Sequence, residues 1–108
     1  MSGWFLSQDA DEDLQDIYLY SVENWGEDQA RRYLDELFDL FDHFGRNSEM
    51  GRLRPELGEG IRSFPHVSHI VYFMNWRSEI AILRVLHGSR EVDSEFADFD
   101  PRTNPGSV

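Results

Sequence analysis

The sequence predicts an α+β fold of two layers: a first strand, a two-helix antiparallel hairpin, and then a three-stranded antiparallel meander. Three observations predict it. Apolar residues recur at helical spacing from Ala10 to Phe44, so the first part of the chain reads as helix. From Ile61 the apolar period changes to two, the pattern of strands. Ile80 to Arg90, Ile-Ala-Ile-Leu-Arg-Val-Leu-His-Gly-Ser-Arg, sets an apolar and partly β-branched run against a polar end, as a buried last strand would.

Taken in order, Trp4-Phe5-Leu6 is a short strand. Ser7 offers a helix N-cap, and Asp9, Asp11 and Glu12 suit the positive end of a helix. Ala10, Leu14, Ile17, Tyr18, Ser21, Val22 and Trp25 share one helical face, and Gly26 ends that helix. Glu27 and Asp28 open a second helix with the stripe Ala30, Tyr33, Leu34, Leu37, Phe38, Phe41 and Phe44, closed by Gly45-Arg46-Asn47-Ser48. So short a link makes the two helices an antiparallel hairpin. Ser48 to Gly60, with Gly51, Pro55, Gly58 and Gly60, reads as irregular. Ile61 to Phe64 is a strand ended by Pro65, Val67 to Trp76 a longer one, Asn75 to Ser78 a hairpin turn, and Glu79 to Leu86 the last strand. This makes one domain over residues 1–97 and an acidic tail over 98–108, expected to be flexible without a partner.

Helices on one side can cover only one face of such a sheet. Yet the strands are apolar on both: Ile70, Tyr72 and Met74 against Val71 and Phe73, and Ile80 and Ile82 against Ala81, Leu83 and Val85. The surplus apolar area is expected to mark an interaction surface. The alternative is that the tail folds back over it, with Phe96 or Phe99 as the plug.

Composition narrows the function. The net charge is −11 and every basic residue is arginine. An acidic chain is repelled by phosphate backbones, which disfavours broad binding to nucleic acid. The charges are segregated: Asp9, Asp11, Glu12, Asp13 and Asp16 crowd the start, while Arg46, Arg52, Arg54, Arg62, Arg77, Arg84 and Arg90 lie from residue 46 onward. Most of these arginines are expected in surface ion pairs. With no cysteine there is neither a disulfide nor a thiolate–metal framework. The apolar runs are too short to span a bilayer and Met1-Ser-Gly-Trp does not open a signal peptide, so a cytoplasmic protein without membrane contact is expected.

Candidate chemistry is sparse. The four histidines, His43, His66, His69 and His87, have no metal-binding spacing, and His66 and His69, three apart in a strand, would point to opposite faces. No phosphate-binding glycine loop or nucleophile elbow is present, and no cofactor is expected. His87 is the one candidate general base, beside Ser89 and Arg90 and near Arg84. With an arginine on phosphate it would suit RNA cleavage through the 2′-hydroxyl. The simpler reading is a histidine that bonds the turn and orders the strand end.

Arg84-Val85-Leu86-His87-Gly88-Ser89-Arg90 resembles the C-terminal signature of the ParE toxins in the RelE/ParE superfamily. Ala10-x-x-Asp13-Leu14-x-x-Ile17-x-x-Tyr20 is similar to the first helix of that family. Trp25-Gly26-x-x-Gln29-Ala30-x-x-Tyr33 resembles its helix turn. Gly51-Arg52-x-Arg54-Pro55-Glu56-Leu57 and Gly60-Ile61-Arg62-Ser63-Phe64-Pro65 resemble its loop and next strand, and His69-Ile70-Val71-Tyr72-Phe73 the strand after that. The pieces occur in order over about residues 4 to 96.

The resemblance implies a RelE/ParE-like fold and the toxin of a type II toxin–antitoxin system. Such a toxin is neutralised in a hetero-oligomer by a ParD-type antitoxin, through which alone it meets DNA. Its target would be DNA gyrase or a topoisomerase, with replication blocked and growth inhibited, and it would not be an enzyme. A RelE-like ribosome-dependent mRNA endoribonuclease is the alternative, with His87 catalytic and Glu56 a conceivable partner. A non-toxic antitoxin-binding co-repressor is a third reading. Under the first, Arg62, Arg84, His87 and Arg90 contact the target, and Arg52 and Arg54 join the target- or antitoxin-binding surface. Replacing Arg84 and Arg90 together is then expected to keep the fold and abolish toxicity. Tyr18, Trp25, Tyr33, Tyr72 and Trp76 are expected in the core. Many family members are basic, and this chain is acidic. Antitoxin binding is therefore expected to rest on an apolar helix in a groove and strand addition, with arginine anchors.

Overall fold

Ser7 starts the first helix as its position predicts. Its Oγ accepts the Ala10 N–H at 3.0 Å and donates to the Leu83 carbonyl at 2.8 Å, so one hydroxyl caps the helix and ties it to the last strand. A computed structural model describes residues 3–89, and the elements follow from there. They are β1 (Trp4–Leu6), α1 (Gln8–Trp25), α2 (Glu27–Arg46), β2 (Arg52–Leu53), β3 (Arg62–His66), β4 (His69–Trp76) and β5 (Glu79–His87). Gly26 alone separates the helices. Its φ of 90° is one that side-chain-bearing residues rarely adopt. Its N–H closes α1 on Val22 and its carbonyl opens α2 on Ala30.

The sheet has five strands in the order β1-β5-β4-β3-β2. The meander is antiparallel, while β1 runs parallel to β5 with Trp4 opposite Ile80 and Leu6 opposite Ile82. The helices pack on one face. Leu14, Ile17, Leu37, Phe41 and Phe44 meet Val71, Phe73, Ile80, Ile82 and Val85, with Phe44 stacked on Phe73 at 3.9 Å between ring centroids. Each such side chain contributes about 1.5–3 kcal/mol on burial. A second cluster of Ile61, Tyr72, Ala81, Leu83 and Leu86 is formed on the outer face.

Several expectations are corrected. The stretch read as irregular holds β2, whose Arg52 and Leu53 pair with Ser63 and Arg62. Gly51 beside it has φ 85°, and a Cβ there would come within 2.6 Å of the Ser63 carbonyl. Pro65 does not end its strand. β2 pairs no further than Ser63, so Pro65 lies on an edge where its missing N–H costs no ladder bond. Val67 is not in a strand. With Ser68 it makes the β3–β4 turn, at φ 55° and 80 % exposed, a strained place for a β-branched residue. His66 and His69 are consequently paired across that turn and not on opposite faces.

The second turn is narrower than expected, Arg77 and Ser78 alone, both at positive φ as a two-residue hairpin of the mirror type requires. β5 carries a bulge: Tyr72 pairs with Arg84 but Phe73 with Ile82, so Leu83 is extra. The bulge moves Val85 to the helix side with Ile80 and Ile82, away from Ala81 and Leu83. Trp25, expected in the core, is 57 % exposed, because α1 has run past the sheet by its last turn. Arg90 and the tail over 98–108, with Phe96 and Phe99, lie outside the described residues. Among the described residues no helix is long and apolar enough to cross a membrane.

Candidate functional site

The sheet edge beyond β1 is taken over by α1. Where β1 ends, Asp13 reaches β5 and binds it three times. Its Oδ2 accepts the Arg84 Nε–H at 2.8 Å and the Val85 N–H at 3.0 Å, and its Oδ1 accepts Arg84 Nη2 at 2.9 Å. Both side chains are about nine-tenths buried, at 12 % and 11 % exposed. This is how a charge fits inside a core strand: it is matched by a two-pronged carboxylate.

Next to this pair opens a groove of about 910 Å³ between the hairpin, the β3–β4 turn and the end of β5. Its floor is Ile17, Ser21, Val85 and Leu86. Its rim carries exposed apolar groups, Tyr20, Trp25 and Val67, with the Tyr20 and Trp25 rings edge to face at 5.8 Å. Asp16, Arg32 and Glu36 supply charge along its length.

At one end three histidines gather around Tyr33. The Tyr33 hydroxyl donates to the His66 carbonyl at 3.2 Å and lies 2.7 Å from His69 Nδ1. His66 Nε2 is 3.2 Å from Glu36. The His69 and His87 rings meet edge to face at 5.8 Å. Burial holds the His69 imidazole below its ordinary pKa, the neighbouring His87 and His66 add to this, and Asp13 opposes it. Burial pushes the Tyr33 hydroxyl up. The His69 ring is thus favoured in its neutral form. Among the described residues no group of three or more histidines and acids could hold a metal ion.

The expected arginine face is divided. Arg52 and Arg54 lie on the outer side of the sheet: Arg52 is paired with Ser63, Arg54 binds Glu56 at 2.7 Å, and its guanidinium sits 5.9 Å from the Tyr72 ring centre. Arg62 donates to the carbonyls of Glu49 and Gly51 at 3.1 and 3.2 Å and so braces the segment before β2. Arg84 is engaged by Asp13. His87 lines the groove, where Ser89 N–H donates to its Nδ1 at 3.2 Å and the Ser89 hydroxyl lies at 2.8 Å. Glu56, conceived as its partner, is on the other side of the sheet with Arg54. Arg90 is outside the described residues.

The groove itself was not read from the sequence. One signal pointed to it: Tyr20, an aromatic residue, interrupts the polar face of α1.

Two amphipathic helices on one face of a small mixed sheet define a two-layer α+β fold. The chromosomal ParDE toxin–antitoxin system from P. aeruginosa contains a chain that superposes with a TM-score of 0.69 at 22 % identity, over 81 % of this chain and 96 % of that one. The family described as the ParE toxin of the type II toxin-antitoxin system, parDE, matches residues 5–92. Toxin ParE1 of Mycobacterium tuberculosis is 33 % identical over 93 residues, 85 % of this chain and 95 % of that protein. Toxin ParE1 of Caulobacter vibrioides is 35 % identical over 89 residues, 82 % and 92 % of the respective chains. The chain belongs to the ParE toxin family of type II toxin–antitoxin systems.

Proposed function

We propose that this chain, free of its antitoxin, poisons DNA gyrase by binding rather than by catalysis, and that a ParD-type antitoxin neutralises it by seating an amphipathic helix in the groove beside Trp25. The observation that carries the antitoxin part is the rim of Tyr20, Trp25 and Val67, three exposed apolar side chains around one concavity. Support for a binding mode comes from the histidine end. His87 is bonded to Ser89, Arg84 is held by Asp13, and Glu56 lies across the sheet, so a proton donor, an acceptor and a phosphate clamp do not converge there. Family membership supports gyrase as the target.

The test is a gyrase supercoiling assay with the purified full chain, scored for loss of supercoiling and for linear DNA after detergent and protease. Linear DNA is expected. Its absence at a concentration that stops growth would move the target to translation and make His87→Ala the next variant. An inert chain on overexpression without antitoxin would leave the co-repressor role.

A further inference from the structure

The turn between β3 and β4 is strained, and the strain does not serve the fold. Val67 and Ser68 form it, and of the two only Val67 takes a positive φ, at 55°. In a two-residue hairpin of that kind glycine is the favoured first residue. Valine is among the worst, because its branched Cβ crowds the backbone there. Such a conformation persists only where its surroundings over-determine it. Here they do. The Ser68 carbonyl accepts the Gly88 N–H at 2.9 Å, which ties the turn to the end of β5. The Tyr33 hydroxyl donates to the His66 carbonyl at 3.2 Å and lies 2.7 Å from His69 Nδ1, so one side chain of α2 holds both flanks of the turn. Glu36, on the same helix, meets His66 Nε2 at 3.2 Å. Val67 itself is 80 % exposed and belongs to neither hydrophobic cluster.

We propose that Val67 is a pre-set anchor for the antitoxin: the Tyr33 cluster holds the turn in its strained form so that a β-branched side chain stands on the rim of the groove, where the antitoxin helix covers it. The inference rests on the groove reading given above and adds to it which residue sets affinity against stability. Three properties fit. The first is place. Val67 lines the same groove as Tyr20 and Trp25, but reaches it from the sheet while they reach it from α1. An apolar helix face seated there meets apolar groups from both layers. The second is stiffness. Valine has few rotamers and the backbone beneath it is pinned, so little freedom is left to lose when a partner buries it. The third is the choice of residue. Glycine would relieve the backbone but present no side chain to a partner, so the valine gains its use only when the groove is filled.

The test compares Val67→Gly, Val67→Thr and Trp25→Ala in the full chain, by thermal unfolding and by calorimetric titration with the ParD-type antitoxin. Val67→Gly is expected to unfold about 2–6 °C above the parent, the relief of strain exceeding the added freedom of the unfolded chain. The same variant is expected to bind antitoxin about tenfold more weakly. Val67→Thr keeps the branch and the strain, so its midpoint is expected to match the parent; with a hydroxyl in place of a methyl it is expected to bind about threefold to tenfold more weakly. A lowered midpoint in Val67→Gly would show that the valine supports the fold and would overturn the proposal. Parental affinity in both Val67 variants, beside weakened binding by Trp25→Ala, would overturn the anchor and leave the groove as the antitoxin site. Parental affinity in all three would remove the groove reading, and the anchor with it.

Discussion

Asp13 spends both carboxylate oxygens on Arg84 and on the backbone of Val85, inside a contact nearly closed to water. Removing one partner strands the other's charge, which costs about 3–5 kcal/mol, whereas removing both by apolar residues of similar size costs much less. Asp13→Ala and Arg84→Ala are each expected to lower urea stability by that amount. The Asp13→Leu, Arg84→Met double variant is expected to lie well above the sum. This bears against the expectation that a variant with Arg84 and Arg90 both replaced by alanine keeps its fold. Loss of toxicity in that variant would need a stability measurement beside it.

His69 shows the same scale through pH. Burial depresses its pKa, so the folded chain binds fewer protons than the unfolded one between the depressed value and the ordinary 6.5 or so. Its contribution to stability is present above about pH 6.5 and is lost as pH falls through the depressed value. A His69→Gln variant is expected to show a shallower fall in stability below about pH 6.5 than the parent, read by denaturant titration at several pH values.

Elements are joined here by single groups as much as by faces. The Ser7 hydroxyl starts α1 and also satisfies a β5 carbonyl. Ser7→Ala is expected to cost about 2–3 kcal/mol, more than loss of an exposed cap, because the buried bond to the Leu83 carbonyl is lost together with the cap. Thermal unfolding measures it. The caps, the helical stripes and the end of α1 at Gly26 were legible because each is a local signal repeated over several residues. The bulge at Leu83 was not, because one extra residue leaves an all-apolar run looking regular. β2 has two residues and no period to read. Trp25 sits on the correct helical face but beyond the end of the sheet, and a stripe carries no information on where its partner stops. The Val67 turn defeats propensity altogether, since its geometry is imposed by the strands on either side.

At the scale of the whole molecule the sheet separates two working sides. The groove side presents Tyr20 and Trp25, at 60 % and 57 % exposure. Truncating either to alanine touches no core contact and is expected to leave stability unchanged. It is expected to weaken ParD-type antitoxin binding about 30-fold, some 2 kcal/mol, in calorimetric titration. The outer side holds Arg52 and Arg54. The arginines grouped from sequence belong to different sides because alternation along a strand, the bulge and the hairpin turn each redirect a side chain, and none of these follows from charge order alone.

The parallel pairing of β1 with β5 joins the first described strand to the last. Trp4 waits for Ile80, the N–H of Ser7 waits for the Ile82 carbonyl, and Asp13 waits for Arg84. A ribosome making this chain therefore produces the helix hairpin well before the strand that completes it, and contacts so far apart in sequence form late. A polypeptide broken off anywhere ahead of β5 has an open sheet edge and an unmatched Asp13. Interrupted synthesis thus yields fragments that cannot assume the toxin's shape, and a competent molecule exists only once β5 has been made.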